Sequence, residues 1–243
     1  MHYIKVLATD STNTELKRRL ARNPRMSDTS FFAQNQKQGR GQRGTQWFSD
    51  SSKNLTFSIL LNNLNLPAQD NFKLNAGVSL SICQFLKTHS PHLNFYIKWP
   101  NDILAEDLKL CGILIENFLQ GQQIKSSIIG IGLNTNQVNF DKLPKATSLR
   151  NLTHRTFNLE QLWRELTESI EKELVAFLAM PADEIRERYA MQLYRKGVKS
   201  QFELPDGTRK EGTIIGVSTL GKLQVQFSTQ LKEFQLKEIK LLY

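Results

Sequence analysis

Two β-rich runs, Ile113–Phe118 and Ile124–Leu133, lie on either side of Gln120-Gly121-Gln122, and this arrangement constrains the chain more than any other feature. A glycine between two amides supplies turn chemistry, so the second run folds back on the first as a hairpin. Strand-like runs at Met1–Leu7, Thr29–Gln34, Asn54–Leu61 and Asn94–Lys98 bring the expected sheet to about five to seven strands. Thr12-Asn13-Thr14-Glu15 fits a capping box opening a helix with Leu16 and Leu20, so Ser11 and Thr12 sit on a strand-to-helix turn. Phe72–Leu86 is apolar on most faces and reads as a buried helix. A second helix follows Asn158, its expected N-cap, with apolar residues at helical spacing to Phe177, and a short one spans Asp183–Leu193. From Gly197 the texture changes to short alternating runs: Phe202–Leu204, Thr213–Val217, Leu223–Phe227 and Phe234–Leu236. Asp206-Gly207 and Gly221 provide turns between them, which predicts a small β-barrel. The expected organisation is a large domain over 1–194 and a barrel over 195–243.

A chain of 243 residues buries a full core without a metal or disulfide staple. No apolar run approaches the roughly 20 residues that span a bilayer, and the N-terminus lacks the apolar segment of an export signal. A cytoplasmic protein without membrane association is expected. Cys83 and Cys111 lie in apolar surroundings and read as buried thiols. The four histidines form no HExxH pattern, which argues against a catalytic zinc site. The formal net charge is +9, and residues 1–43 contain nine basic and three acidic side chains. This excess suits an anionic partner near the segment, or a solvated basic face.

Gly39-Arg40-Gly41-Gln42-Arg43-Gly44 joins three glycines, whose amides can approach an anion, to two arginines. It is neither GxGxxG nor a Walker loop, and alone it reads equally as a flexible surface loop. Trp47 follows, suited to stacking on a nucleotide base or to an ordinary core. Lys98-Trp99-Pro100-Asn101-Asp102 sets a proline turn after a strand and offers an amide and a carboxylate. Lys109 then leads into Leu110-Cys111-Gly112-Ile113, where the glycine admits close packing against the strand. A lone lysine before a strand is otherwise solvent-exposed. Gly130-Ile131-Gly132-Leu133-Asn134 ends an apolar strand with two glycines and an amide, either the floor of a narrow ligand slot or a helix-packing surface.

In this order and spacing, GRGQRGTQW, KWPND, KLCGIL and GIGLN, with Ser11-Thr12-Asn13 near the start, resemble the biotin protein ligase family over about residues 3–135. The resemblance implies an α+β fold: a mixed, SH2-like sheet with flanking helices, of the class II aminoacyl-tRNA synthetase/biotin ligase type, plus a C-terminal SH3-like β-barrel. It implies two half-reactions, in which biotin and ATP give biotinyl-5′-adenylate and pyrophosphate, and a lysine of a biotin carboxyl carrier domain then takes the biotinyl group. By position, Ser11, Thr12, Asn13 and Gln36 resemble residues that hold the biotin ureido ring, with Gly39, Gly112, Gly130 and Gly132 as backbone beside it. Arg40, Gln42 and Arg43 lie where the family's loop closes over the adenylate, Trp47 near the adenine, and Asn101 and Asn134 as polar neighbours. Lys109 resembles the essential lysine that serves both ligands. Asp102 is the expected proton acceptor in the second step, and Mg²⁺ is expected on the phosphates.

Many relatives carry arginine at the positions of Gln42 and Thr45, so weaker adenylate retention is expected here. The first strand leads directly into Ser11-Thr12-Asn13, so a ligase with neither repressor function nor DNA binding is expected. Exposed strand edges leave a homodimer open. Two rival readings are a lipoyl or octanoyl transferase of related fold and a nucleic-acid-binding module using Lys17, Arg18, Arg19 and Arg22.

Overall fold

The hairpin expected around Gly121 forms, with that glycine at φ 61°, in a computed structural model that describes residues 1–141 and 143–243. The side chain of Arg43 lies outside the described residues. In chain order the elements are β1 (His2–Thr9), α1 (Thr12–Arg22), β2 (Thr29–Gln36), β3 (Leu55–Leu61), β4 (Leu66–Pro67), α2 (Asn71–His89), β5 (Phe95–Lys98) and β6 (Asp102–Ala105). There follow β7 (Leu108–Gln120), β8 (Gln123–Leu133), α3 (Leu149–Thr153), α4 (Leu159–Ala179) and α5 (Ala182–Met191). Strands β9 (Lys199–Glu203), β10 (Arg209–Val217), β11 (Leu223–Gln226), β12 (Leu231–Phe234) and β13 (Lys240–Leu242) complete the chain. These elements divide into two compact units, residues 1–68 with 108–171 and residues 69–107 with 172–243.

In the first unit the strands run in the order β1-β2-β3-β8-β7, with β4 beside β8. Among the described residues β1 and β2 pair in parallel and the other strand pairs of this unit are antiparallel, so the sheet is mixed. Period-2 alternation divides its side chains between two helices. On one face Phe31, Leu60 and Ile128 pack with Leu16 of α1. On the other, Trp163 of α4 packs on Tyr3 and Phe32, and its Nε1–H donates to Ser30 Oγ at 2.7 Å. Each such buried side chain contributes about 1.5–3 kcal/mol relative to exposure. Coverage on both faces explains why every residue of β3 is buried. Asn158 caps α4 as expected, its Oδ1 accepting from Glu160 N at 3.0 Å and Gln161 N at 3.1 Å.

The capping box expected at Thr12-Asn13-Thr14-Glu15 does not form. Ser11 is the N-cap and makes no side-chain cap hydrogen bond. Thr12 instead turns toward Gln36 and Ser58, while Glu15 pairs with Arg19 at 2.8 Å. The Thr12 hydroxyl is engaged by these tertiary partners in place of the local cap.

In the second unit, α2 is buried on most faces, and a Cβ at Gly77 would lie 2.8 Å from Leu174 Cδ1. Strands β5 and β6 pair as a hairpin. The C-terminal strands form an antiparallel sheet in the order β12-β11-β10-β9-β13. Among the described residues no pairing joins β12 to β13, so an open sheet stands where a barrel was expected. The last expected run, Phe234–Leu236, is also out of phase: Phe227 N–H donates to Gln230 O at 3.0 Å, which turns the chain early into β12. Among the described residues no helix is long and apolar enough to cross a membrane.

Candidate active site

Three adjacent strands carry small residues in neighbouring rows on the face toward α1. One row is Thr56, Gly132 and Gly112, and the next is Ser58, Gly130 and Leu114. The glycines in these rows let two side chains approach the sheet closely. The Asn13 carboxamide covers Gly130, where a Cβ would collide with its Oδ1 and lie 3.0 Å from its Cγ. The Trp47 indole covers Gly132, where a Cβ would stand 2.7 Å from Cζ2. The glycines expected to form bare backbone wall therefore support side chains as well.

The strand-to-helix turn after β1 and the end of β2 contribute the polar groups. Thr12 N–H donates to Gln36 Oε1 at 2.8 Å, and Thr12 Oγ1 lies 3.1 Å from the same oxygen. Ser58 Oγ is 2.7 Å from Thr12 Oγ1 and 2.6 Å from Asn13 Oδ1. Asn13 Nδ2 donates to Glu116 Oε2 at 2.8 Å and to Leu114 O at 3.3 Å. Ser11, Thr12, Asn13 and Ser58 are all buried. Lys17 Nζ pairs with Glu116, and Arg40 Nη1 lies 3.8 Å from Glu116 Oε1 and 3.5 Å from Thr14 Oγ1. Burial pushes the Glu116 carboxyl up, but hydrogen bonds from Lys17 and Asn13 and the charges of Lys17 and Arg40 outweigh it and hold the group below the usual carboxylate value.

The glycine-arginine segment folds as a small loop. Trp47 N–H donates to Gly39 O at 2.9 Å, Gly41 N–H to Thr45 O at 2.7 Å, and Arg40 bridges to Gln46. Trp47 Nε1 and Gln42 Oε1 are buried without a partner among the described residues, so both retain hydrogen-bonding capacity for a ligand. Lys109 Nζ stands 5.6 Å from the centre of the Trp47 ring. Its backbone is clamped by the segment after β8, with Lys109 N–H donating to Lys145 O at 2.7 Å and Thr147 N–H to Lys109 O at 3.0 Å. Asn134 is buried, its N–H donating to Leu110 O at 2.9 Å.

The first unit contains Ser11, Thr12, Asn13, Gln36, Gly39, Arg40, Gln42, Trp47, Lys109, Gly112, Gly130, Gly132 and Asn134. The Arg43 side chain, also expected here, is outside the described residues. Asn101 and Asp102 belong to the second unit. There the Trp99–Pro100 bond is cis, Trp99 Nε1–H donates to Gly221 O at 2.8 Å, and Asp102 pairs with Lys98 at 3.8 Å. Burial, and then the Asp102 charge, push the Tyr243 phenol up to about 12.

Sequence reading missed Ser58, Glu116 and the role of Lys17. Their signals were a hydroxyl inside the apolar run of β3 and a single carboxylate inside the β-rich run of β7. The basic cluster of α1 is largely neutralised: Lys17 pairs with Glu116, Arg18 with Asp10 at 3.5 Å and Arg19 with Glu15.

Residues 5–134 match the model of the biotin/lipoate A/B protein ligase family. The chain is 27% identical, over 90% of its length and 80% of the relative's, to a biotin–[acetyl-CoA-carboxylase] ligase of Mycobacterium tuberculosis. It is 26% identical, over 95% of its length and 71% of the relative's, to the bifunctional ligase/repressor BirA of Bacillus subtilis. The biotin protein ligase of Aquifex aeolicus in complex with biotin and ATP superimposes with a TM-score of 0.80 at 25% identity, covering 99% of this chain and 98% of that one. The family match takes in more than half of the sequence, and on that ground the chain belongs to the biotin/lipoate A/B protein ligase family.

Proposed function

We infer that the chain is an ATP-dependent biotin protein ligase, which activates biotin as biotinyl-5′-adenylate with release of pyrophosphate and transfers it to a lysine of a biotin carboxyl carrier domain. The observation that carries the assignment is the polar chain Gln36–Thr12–Ser58–Asn13, half-buried at Gln36 and buried at the other three, with a glycine-arginine loop and a clamped lysine in the same unit. Such a chain suits a small, neutral, polar ring, and the cations suit a carboxylate and phosphates.

In the first half-reaction the biotin carboxylate attacks the α-phosphate, which brings two anions together. The Lys109 ammonium lowers that barrier by neutralising charge as it redistributes, a contribution of roughly 100- to 1000-fold for one well-placed donor. Arg40 and the loop amides share the negative charge, and Trp47 offers a face for the adenine. Among the described residues no three His, Cys, Asp or Glu side chains are grouped to hold a metal ion, so Mg²⁺ enters this reading as part of the MgATP substrate. In the second half-reaction the acceptor ammonium loses a proton before it attacks the mixed anhydride. Asp102 takes that role in our reading, as a carboxylate already paired with Lys98.

The catalytic residues fall within 1–194 in this proposal, and 195–243 forms the C-terminal module. We place the protein in the cytoplasm. Lys17, Arg18 and Arg19 of α1 are each paired with an acidic side chain, which reduces the charge they offer to nucleic acid, and we propose that DNA is not a partner. The test is mass spectrometry of a carrier domain after incubation with the protein, MgATP and biotin, with lipoate in a parallel arm. A biotinyl mass increment is expected. Modification by lipoate alone would reverse the assignment.

A further inference from the structure

We propose that Gln137, together with Asn54, anchors the exit of the glycine-arginine loop and so positions Trp47 for the nucleotide. The proposal rests on the reading of that loop as part of an ATP site.

The loop has two limbs, tied by different means. Backbone holds the entry limb: Lys37 N–H donates to Thr9 O at 3.0 Å and Gln38 N–H to Asp10 O at 2.8 Å. Side-chain amides hold the exit limb. Asp50 N–H donates to Gln137 Oε1 at 3.2 Å, and Asn54 Nδ2 donates to the same oxygen at 2.6 Å and to Ser49 Oγ at 3.2 Å. Asn54 Oδ1 accepts from Thr135 N–H at 2.9 Å. Asn54, Thr135 and Gln137 are buried. A backbone N–H can only donate, so Thr135 fixes which end of the Asn54 amide is oxygen, and Asp50 does the same for Gln137. These two orientations bring the Asn54 NH₂ to the Gln137 oxygen, so neither amide can reverse without setting donor against donor. Gln137 Nε2 is engaged by Asn139 O at 2.8 Å.

The pair closes a circuit around the nucleotide half of the site. Trp47 lies on Gly132 of β8, and Asp50, further along the same limb, is bonded to Gln137 in the continuation of β8. One stretch of chain thus carries both the seat of the indole and the tether of the segment that bears it. Without the Gln137 oxygen, Asp50 N–H turns to solvent and the Asn54 amide loses the acceptor beside Ser49. The next tie along the limb is then Ser52, whose N–H donates to Gln34 O at 2.9 Å. The polar chain Gln36–Thr12–Ser58–Asn13 shares no residue with the pair, so its loss reaches the nucleotide and spares the biotin ring.

Gln137 touches no reacting atom and is a positioning residue. Gln137→Leu removes the acceptor, whereas Gln137→Glu keeps an oxygen for Asp50 and Asn54. Asn136→Ala is the comparison for stability alone, because the Asn136 side chain exchanges two hydrogen bonds with Phe157, at 2.8 and 2.9 Å, and none with the loop.

The experiment has two arms, both on the full chain. Trypsin cutting between Arg40 and Gly41, timed by mass spectrometry without ligands, reports opening of the loop. Pyrophosphate release against ATP concentration, and titration with biotin, report the site. Gln137→Leu is expected to be cut about 2- to 10-fold faster and to raise the KM for ATP by about the same factor, the net effect of one hydrogen bond. Its Kd for biotin is expected to stay within about twofold of the wild type, and Gln137→Glu is expected to bring cutting and KM back to within about twofold. Asn136→Ala is expected to lower Tm and leave the KM for ATP in place. Equal cutting of wild type and Gln137→Leu, equal loss of ATP and biotin, no recovery in Gln137→Glu, or the same rise in KM in Asn136→Ala would each overturn the proposal while the ligase assignment stands. A wild-type protein that releases no pyrophosphate with biotin overturns the ATP reading, and the trypsin arm still decides the tether.

Discussion

Gly130→Ala tests whether the packing of Asn13 on β8 is as tight as its geometry indicates. The added methyl would collide with Asn13 Oδ1 and stand 3.0 Å from Cγ and 3.2 Å from Nδ2. Neither side can withdraw easily. Gly130 lies in the ladder between Ser58 and Leu114, and Asn13 is held at both ends by Ser58 and Glu116. Overpacking of this kind costs about 1–3 kcal/mol. For a chain of this size each kcal/mol lowers Tm by about 2–4 °C, so a fall of roughly 2–12 °C is expected. Gly132→Ala is the internal comparison. Its methyl meets the Trp47 indole, carried by a loop rather than a helix, and the loop yields at smaller cost to stability. Thermal unfolding followed by circular dichroism ranks the two, and titration with biotin reports the pocket. Gly130→Ala melting within about 1 °C of the wild type, or Gly132→Ala as the more destabilised variant, would refute the packing argument.

Lys109→Ala is expected to slow biotin-dependent pyrophosphate release by about 100- to 1000-fold, whereas Asp102→Asn is expected to spare pyrophosphate release and slow transfer to the carrier domain. Single-turnover assays of the two steps separate these effects, and an Asp102→Asn variant slow in the first step would remove the proposed role. Gln42→Arg adds a cation to the loop and is expected to slow dissociation of pre-formed biotinyl-adenylate; equal off-rates would contradict the weaker retention inferred from Gln42. Glu116 titrates below its ordinary 4.5 when folded, so the stability it contributes is fully present above that value and is lost as pH falls through the folded one. Urea melts at about pH 3 to 6 should show a steeper acid loss in the wild type than in Glu116→Gln, and parallel curves would argue that the group is not linked to folding.

The sheet and most helices were legible because their signals are local: Gly121 between two β-rich runs, Asn158 ahead of a helical stripe, and the apolar faces of α2. Failures occurred where a long-range partner decided. Thr12 has the sequence of a capping residue, yet its hydroxyl answers Gln36 and Ser58, 24 and 46 positions away. Strand β13 escaped notice because Lys240–Leu242 is too short for periodicity to register and owes its extended form to pairing with Gln201–Glu203. In the pocket, the glycines and cations announced themselves as a motif. Ser58 and Glu116 did not, because a hydroxyl or a carboxylate within a β-run means nothing until the register of β3, β8 and β7 places them in adjoining rows.

Antiparallel register between β7 and β8 also makes the hairpin a measuring stick. Gly112 faces Gly132 and Leu114 faces Gly130, while the irregularity between Phe118 and Leu119 lies near the turn. One residue inserted below that point would reverse which side of the sheet receives Glu116 and Gly112, dismantling the ligand cradle while leaving hydrophobicity unchanged. Residues added at the exposed Gln120-Gly121-Gln122 tip would shift nothing beneath them. Length is thus tightly fixed along the shafts of the hairpin and free at its end, which makes that end a natural point for grafting a reporter peptide.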